Sequence, residues 1–437
     1  MCRCHAQRFC QACSHAIDRR RFLWRGGAAL AAAGGLSPLA RAVSAAETGR
    51  VRVAAVFLAQ VRNSWPYPGF DATGRQREIL AVLSRACPEV EFVPVTIQTP
   101  NDSGKALGLK DQVDGYLVYV ATLSWALRGV LTAIGTLNKP LVVADEFLGG
   151  SGAFLTGAPP LVLSKGATAV ATTRPDDLAA VARQFAALRT SRLTPTEFAR
   201  RCEEVYRSTF PSSGEMACAD DNLKLANIGQ CVAQFQRSKV LVLGRGKGGQ
   251  QQNVLGAMWQ YVDWKELEAI YPELDPDEAS EWAARWTRQA EALPAGEYVE
   301  PSVPPAKEIH HAALVYLALR RLLKKYDTDI ITANCGGGLG TSGALRGFPC
   351  LGFAQLLDDG ALGICEADVD DTPPMLMARV LAGRPGFVSD PAIDTSQNRI
   401  VYSHCVGATK VFGPGGQQNG YHIRTSHARI GAVVESL

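Results

Sequence analysis

Short, near-continuous apolar runs separated by amphipathic stretches set the tightest limit on what this chain can fold into. Val51–Leu58, Val90–Ile97, Val113–Ala121, Pro140–Phe147 and Ala167–Thr173 read as strands, with helices over Arg75–Ala86 and Leu123–Leu137 between them. A strand that is apolar on both faces belongs inside a parallel sheet, because the helical crossovers that join parallel strands cover both faces. The pattern resumes with helices at Pro175–Leu188 and Pro195–Ser208 and a strand at Lys239–Leu243. Helices at Gln251–Trp264, Asp277–Leu293 and Ala306–Tyr326 then lead to a strand at Asp329–Cys335. Pro294, Pro301, Pro304 and Pro305 mark a loop inside this second unit. The last stretch reads as helix (Cys350–Asp358), strand (Ala361–Asp368), helix (Pro373–Ala382) and shorter strand-like pieces such as Asn398–His404.

The fold class expected is therefore α/β: two Rossmann-like doubly wound parallel-sheet domains followed by a C-terminal α+β, β-rich domain. The 437 residues suit two or three domains. The boundaries expected are 1–46 for a leader, 47–175 and 176–349 for the two α/β domains, and 350–437 for the last.

Charge narrows the function. The whole chain carries a formal +3, but residues 1–45 hold seven arginines against Asp18, so the body is about −3. A body without surplus positive charge has nothing to neutralise phosphates, and nucleic acid is not an expected partner.

The segment with most chemistry is Leu362-Gly363-Ile364-Cys365-Glu366-Ala367-Asp368-Val369-Asp370-Asp371-Thr372-Pro373. If its apolar start is a buried strand, the two-residue period puts Glu366 and Asp368 on one face at the carboxyl end. Ligands of open α/β sheets bind at that end, and neighbouring carboxylates are costly unless a cation or proton offsets them. Asp371 or Thr372 is expected to cap the following helix, with a proline in its first turn. His404 follows the apolar run Ile400-Val401-Tyr402 and suits an imidazole that completes a carboxylate set, or else a satisfied core position. His422 and His427 are candidates for lining the same pocket, while His310 and His311 open a helix and read as structural.

Gly244, Gly246 and Gly249 satisfy GxGxxG after a strand. No second strand ending in an acid follows about 20 residues on, as a dinucleotide fold requires, so the loop around Gly246 reads better as substrate-facing. Gly337, in the triplet after Cys335, is either a backbone approach to ligand or turn chemistry. Eight cysteines follow position 45, an even number that permits pairing without defining it, and Cys365 is expected to be a buried free thiol.

Asp18-Arg19-Arg20-Arg21-Phe22-Leu23 resembles the twin-arginine export signature. A weakly apolar Gly/Ala run from Gly26 follows, then small residues at Val43-Ser44-Ala45. The resemblance implies the twin-arginine export machinery as a partner, cleavage near residue 46 and a periplasmic or otherwise exported protein. Arg25 and the Gly/Ala content argue against a stable membrane anchor. Cys2, Cys4, His5, Cys10, Cys13 and His15 precede the arginines and read as a transient metal site or as incidental composition.

The C-terminal stretch resembles the L-fucose isomerase and L-arabinose isomerase superfamily through Cys350-Leu351-Gly352-Phe353, Cys365-Glu366-Ala367-Asp368, Met375-Leu376 with Leu381-Ala382-Gly383, and His404-Cys405. The resemblance implies a divalent cation such as Mn2+, aldose–ketose isomerisation of a small sugar through an enediol, and a homo-oligomer. It assigns Asp368, two residues after Glu366, as a metal ligand, with His404 completing the site. Glu366 and Asp368 are then the expected catalytic pair. The family's other metal-binding carboxylate lies on the preceding helix, which here reads Phe353-Ala354-Gln355-Leu356-Leu357 and holds only Gln355 as a polar, substrate-facing candidate. That departure leaves a second expectation open: a carbohydrate-binding protein that kept the cleft without the catalysis.

Overall fold

The computed structural model describes residues 49–60, 70–123, 125–212, 223–292, 306–335, 346–425 and 432–436. The expected leader, Gly337 and His427 lie outside the described residues. Strands β1 (Val51–Leu58), β2 (Val90–Ile97), β3 (Gly115–Val120), β4 (Leu141–Asp145) and β5 (Ala167–Ala171) form a sheet in the order β2-β1-β3-β4-β5, parallel throughout. Both faces are buried, as the apolar runs require: Val53, Ala55 and Phe57 pack into one core, and Ala54, Val56 and Leu58 into the other. The helix Ser151–Lys165 between β4 and β5 was not expected, since it carries Pro159 and Pro160. Burial of Ala153, Phe154, Ala158 and Leu161 against the sheet outweighs the backbone bonds those prolines forgo.

A second sheet joins β6 (Lys239–Leu243), β7 (Gln251–Val254), β8 (Ala257–Val262), β9 (Ile330–Ala333) and β10 (Leu362–Ile364) in the order β10-β9-β6-β8-β7. All its pairs are parallel except β7 with β8. The helix expected over Gln251–Trp264 is thus a hairpin. Its two turn residues, Leu255 and Gly256, have φ of 53° and 97°, and the Asn253 side chain brackets the turn through the backbone of Gly256. Both central residues at positive φ is the geometry that two-residue hairpins favour. A helix starts only at Trp264, capped by Asp263.

The boundary expected at 349 runs through this sheet, because β10 pairs with β9, Leu362 opposite Ile330. An apolar strand end left on β9 would present unpaired backbone groups, and β10 covers them. The helix Cys350–Asp358 packs closely on β10: a Cβ on Gly363 would sit 2.7 Å from Phe353 Cα. What remains of the expected β-rich domain, among the described residues, is two antiparallel pairs, β11 (Asp390–Asp394) with β12 (Arg399–Ser403) and β13 (Tyr421–Arg424) with β14 (Val433–Ser436).

The β11–β12 hairpin docks on the carboxyl end of β5. Buried Asp394 accepts from the Thr173 backbone N–H (3.0 Å) and hydroxyl (2.9 Å), and the Thr395 hydroxyl donates to Ala171 O (2.9 Å). The chain then returns to the second sheet, whose strand ends receive His404 and Cys405. Among the described residues no helix is long and apolar enough to cross a membrane.

Candidate metal centre

The carboxyl ends of β6, β9 and β10 are stitched together by side chains just beyond them. Asn334 donates from its backbone to Leu243 O (2.9 Å) and from its amide to Gly244 O (3.1 Å). Arg245, from the glycine loop after β6, donates to Ala367 O (2.8 Å). That carbonyl belongs to a tight turn, Cys365–Ala367, in which Glu366 and Ala367 take φ of 62° and 52°.

This turn corrects the expected geometry. The strand ends at Ile364, so the two-residue period does not extend to Glu366 and Asp368, and the two do not share a strand face. Asp368 turns to the next helix instead: its Oδ1 accepts from the backbone N–H of Asp370 (2.8 Å) and Asp371 (2.9 Å). Asp371 stands at the N-cap position of Thr372–Ala382 without a side-chain cap bond. Asp368 thus fixes the turn that leads into the helix through the amides of Asp370 and Asp371, and Asp371 occupies the cap position without the side-chain bond expected of it.

What converges is a different trio. Cys365, Glu366 and His404 each offer one donor atom, and these atoms all lie within 4.8 Å of one another. His404 Nε2 is 3.8 Å from Glu366 Oε1. The His404 side chain is only 4% exposed, and its Nδ1 has no hydrogen-bond partner among the described residues. A buried ring nitrogen without a protein partner leaves bonding capacity for a water or an ion. Desolvation by the packed turn on its inner side pushes the Glu366 carboxyl up while its outer side stays open to solvent, an effect opposed by His404 and reinforced by the nearby charges of Asp390 and Asp368. A carboxyl whose proton is held more tightly by desolvation and by neighbouring carboxylates is one that added positive charge would stabilise in its ionised form.

Three further thiols gather at the same edge. Cys335 follows β9, Cys350 opens the helix Cys350–Asp358, and Cys405 follows His404. Cys335 Sγ lies 3.6 Å from Cys365 Sγ. The contact with Cys365 holds Cys335 below the ordinary thiol value against the effect of burial, while Cys365 is pushed up by the same contact and by burial. Burial also pushes up Cys350, and takes Cys405 to about 12. Cys365 is a buried free thiol as expected, but its neighbours were not. The available signal was positional: Cys335 and Cys365 stand just past adjacent strands.

The donor set tests the expected cation. Thiolate, imidazole and carboxylate together suit a borderline-soft first-row ion with few ligands better than an ion that prefers oxygen alone. The residues present fit a divalent transition metal.

Of the remaining expected site residues, Gln355 has its amide committed, accepting from Trp286 Nε1 (3.0 Å) and donating to Asp359 (2.9 Å). Gly246 has φ 73°, and a Cβ there would meet Tyr261 Cδ1 at 2.7 Å, so turn geometry and packing account for the glycine. The loop is followed by a hairpin and not by a helix, the wrong context for a dinucleotide fingerprint. His422 is buried on β13, opposite Glu435, outside the trio. His310 lies by Ser280, and His311 by Glu308.

Sequence reasoning also missed a polar cluster at the carboxyl end of the first sheet. Glu146 Oε2 accepts from Arg75 Nε (2.6 Å) and from the Tyr119 hydroxyl (2.6 Å). Next to it Asp145 accepts from Ser151 Oγ (3.0 Å), while its Oδ1 is buried without a partner among the described residues. Burial holds the Asp145 carboxyl well above the ordinary carboxylate range.

No family model matches this chain, and no curated protein matches it. Among solved structures the chain is similar to a carbohydrate transporter from Acidothermus cellulolyticus 11B in complex with myo-inositol, at 12% identity over 80% of this chain and 94% of that one, with a TM-score of 0.20. A likeness at that score says nothing further about fold or function here.

Proposed function

We propose that this protein is an exported, metal-dependent enzyme of the L-fucose isomerase-like kind, interconverting an aldose and a ketose of a small sugar. The observation that supports this most is the convergence of Cys365, Glu366 and His404 at the carboxyl edge of a parallel sheet. In this reading those three hold the cation, and Asp368, the expected ligand, positions the helix behind them. The cation, when bound, supplies Lewis acidity to the sugar oxygens on the two reacting carbons. Glu366 would help to hold the cation and, as the carboxylate nearest the reacting carbons, would carry the proton between them. A positioned carboxylate of that kind contributes about 10² to 10⁴-fold. Mn2+ remains the family's habit, and the thiol of Cys365 favours Zn2+, Fe2+ or Co2+ over it.

Assaying aldose–ketose turnover with each cation added to metal-stripped protein tests the proposal. Turnover that appears only with a cation, and is lost in Glu366→Gln, supports it. Cation binding with no turnover on any small sugar favours the second reading, a carbohydrate-binding protein. The helix Cys350–Asp358 supports that alternative, since Gln355 is tied to Trp286 and its acid, Asp358, is tied to Thr409 and Lys410.

A further inference from the structure

We propose that Cys335 and Cys365 are a redox pair, and that closing a disulfide between them removes Cys365 from the donor set and releases the cation. The inference rests on the metal reading above and adds a control to the same site. The two residues follow neighbouring parallel strands, with Thr332 opposite Ile364, and the tight turn that begins at Cys365 brings its sulfur onto that of Cys335 two residues beyond the end of β9. Their sulfurs are 3.6 Å apart, and a disulfide needs an approach of about 1.5 Å more, within reach of side-chain rotation. Cys335 stands outside the trio whose donors converge within 4.8 Å, so it is placed to compete for Cys365 instead of sharing the cation with it. A sulfur in a disulfide carries no thiolate charge and is lost as a ligand, which leaves Glu366 and His404 alone.

The oxidant is a small-molecule disulfide. The sulfur of Cys335 attacks one of its sulfurs, forming a mixed disulfide and releasing one small thiol. The sulfur of Cys365 then attacks the Cys335 sulfur and releases the second. Two electrons pass from the protein to the small disulfide: the Cys335 proton leaves on the first released thiol, the second is released as a thiolate that takes its proton from solvent, and the cation leaves as the Cys365 electron pair goes into the new bond.

Incubating the reduced, metal-loaded protein with oxidised glutathione tests this, with metal content and disulfide-mapped peptides read on the same sample. The expected result is a Cys335–Cys365 cross-link in step with a fall in metal from about one per chain to below about a tenth, reversed by dithiothreitol and metal. Cys335→Ser and Cys335→Ala both keep their metal under the same oxidant, and having two variants guards against one that misfolds. Metal retained by cross-linked protein overturns the proposal, as does metal lost equally from the Cys335 variants, or the absence of the cross-link after full oxidation. Reduced wild-type protein that takes up no cation defeats the metal reading and the control with it, and the peptide map then decides the thiol pairing on its own.

Discussion

Both sheets end in a cluster of acids, yet the two clusters are built on opposite principles. At the first, Glu146 is met by Arg75 and Tyr119, each at 2.6 Å. The chain supplies its own countercharge there, and the carboxylate is a fixed part of the structure. At the second, Glu366 has His404 at 3.8 Å and Cys365 beside it, with Asp390 and Asp368 adding negative charge. Its side chain is 56% exposed, so an ion from solvent can reach it. A paired carboxylate and an under-compensated one look alike in sequence, and the contrast shows that the countercharge distinguishes a structural acid from a binding one.

The comparison can be broken from either side. Arg75→Met strands Glu146 in a buried setting and is expected to cost about 3–5 kcal/mol in urea unfolding. Loss below about 1 kcal/mol would mean that the pair is not the structural clamp described. On the other side, Glu366→Gln should lower turnover by about 100-fold or more while leaving the metal-free protein no less stable than wild type in urea unfolding.

Asp145 offers a test by pH. Its proton is held more tightly in the folded state than in the unfolded, where the ordinary value is 3.8. Below that pH both states are protonated and the residue is neutral to stability. Above it only the unfolded state releases the proton, so the wild type loses stability as pH rises toward the folded value. Asp145→Asn removes that loss and is expected to gain about 1–3 kcal/mol at pH 7 and close to nothing near pH 3.5, read from paired urea titrations. The smallest effect sharpens the site itself. Arg245→Ala deletes the bond to Ala367 O and should cost roughly 0.5–1.5 kcal/mol, together with weaker cation affinity, because it loosens the turn that presents Glu366.

Much of the architecture was legible because its signals are local. Val51–Leu58 and Lys239–Leu243 are strands within the bounds that their apolar runs give, and the parallel sheets follow from those runs. The hairpin at Gln251–Val262 was not legible, since its turn is Leu255-Gly256 and lacks the asparagine or aspartate that announces positive φ. Nor could the edge pairing of β10 with β9 be read, because it joins residues some thirty apart across a boundary drawn by composition.

For the site, Glu366 and His404 were found from their place beside apolar strands, and the structure brings them together. The shared strand face expected of Glu366 and Asp368 failed on one assumption: that a strand's two-residue period persists past its last paired residue. Cys365 was read as packing because a thiol in an apolar run gives no sign of its neighbours, and Cys335 comes to it only through the turn that ends β10 beside β9.

On the proposed reading a cation is held by Cys365, Glu366 and His404 and not by Asp368. Elemental analysis of purified wild type, His404→Ala and Asp368→Asn, each equilibrated with the same transition-metal ion and dialysed, tests it most directly. The account predicts about one bound ion per chain in wild type and in Asp368→Asn, and essentially none in His404→Ala. Metal lost from Asp368→Asn and retained by His404→Ala would contradict it.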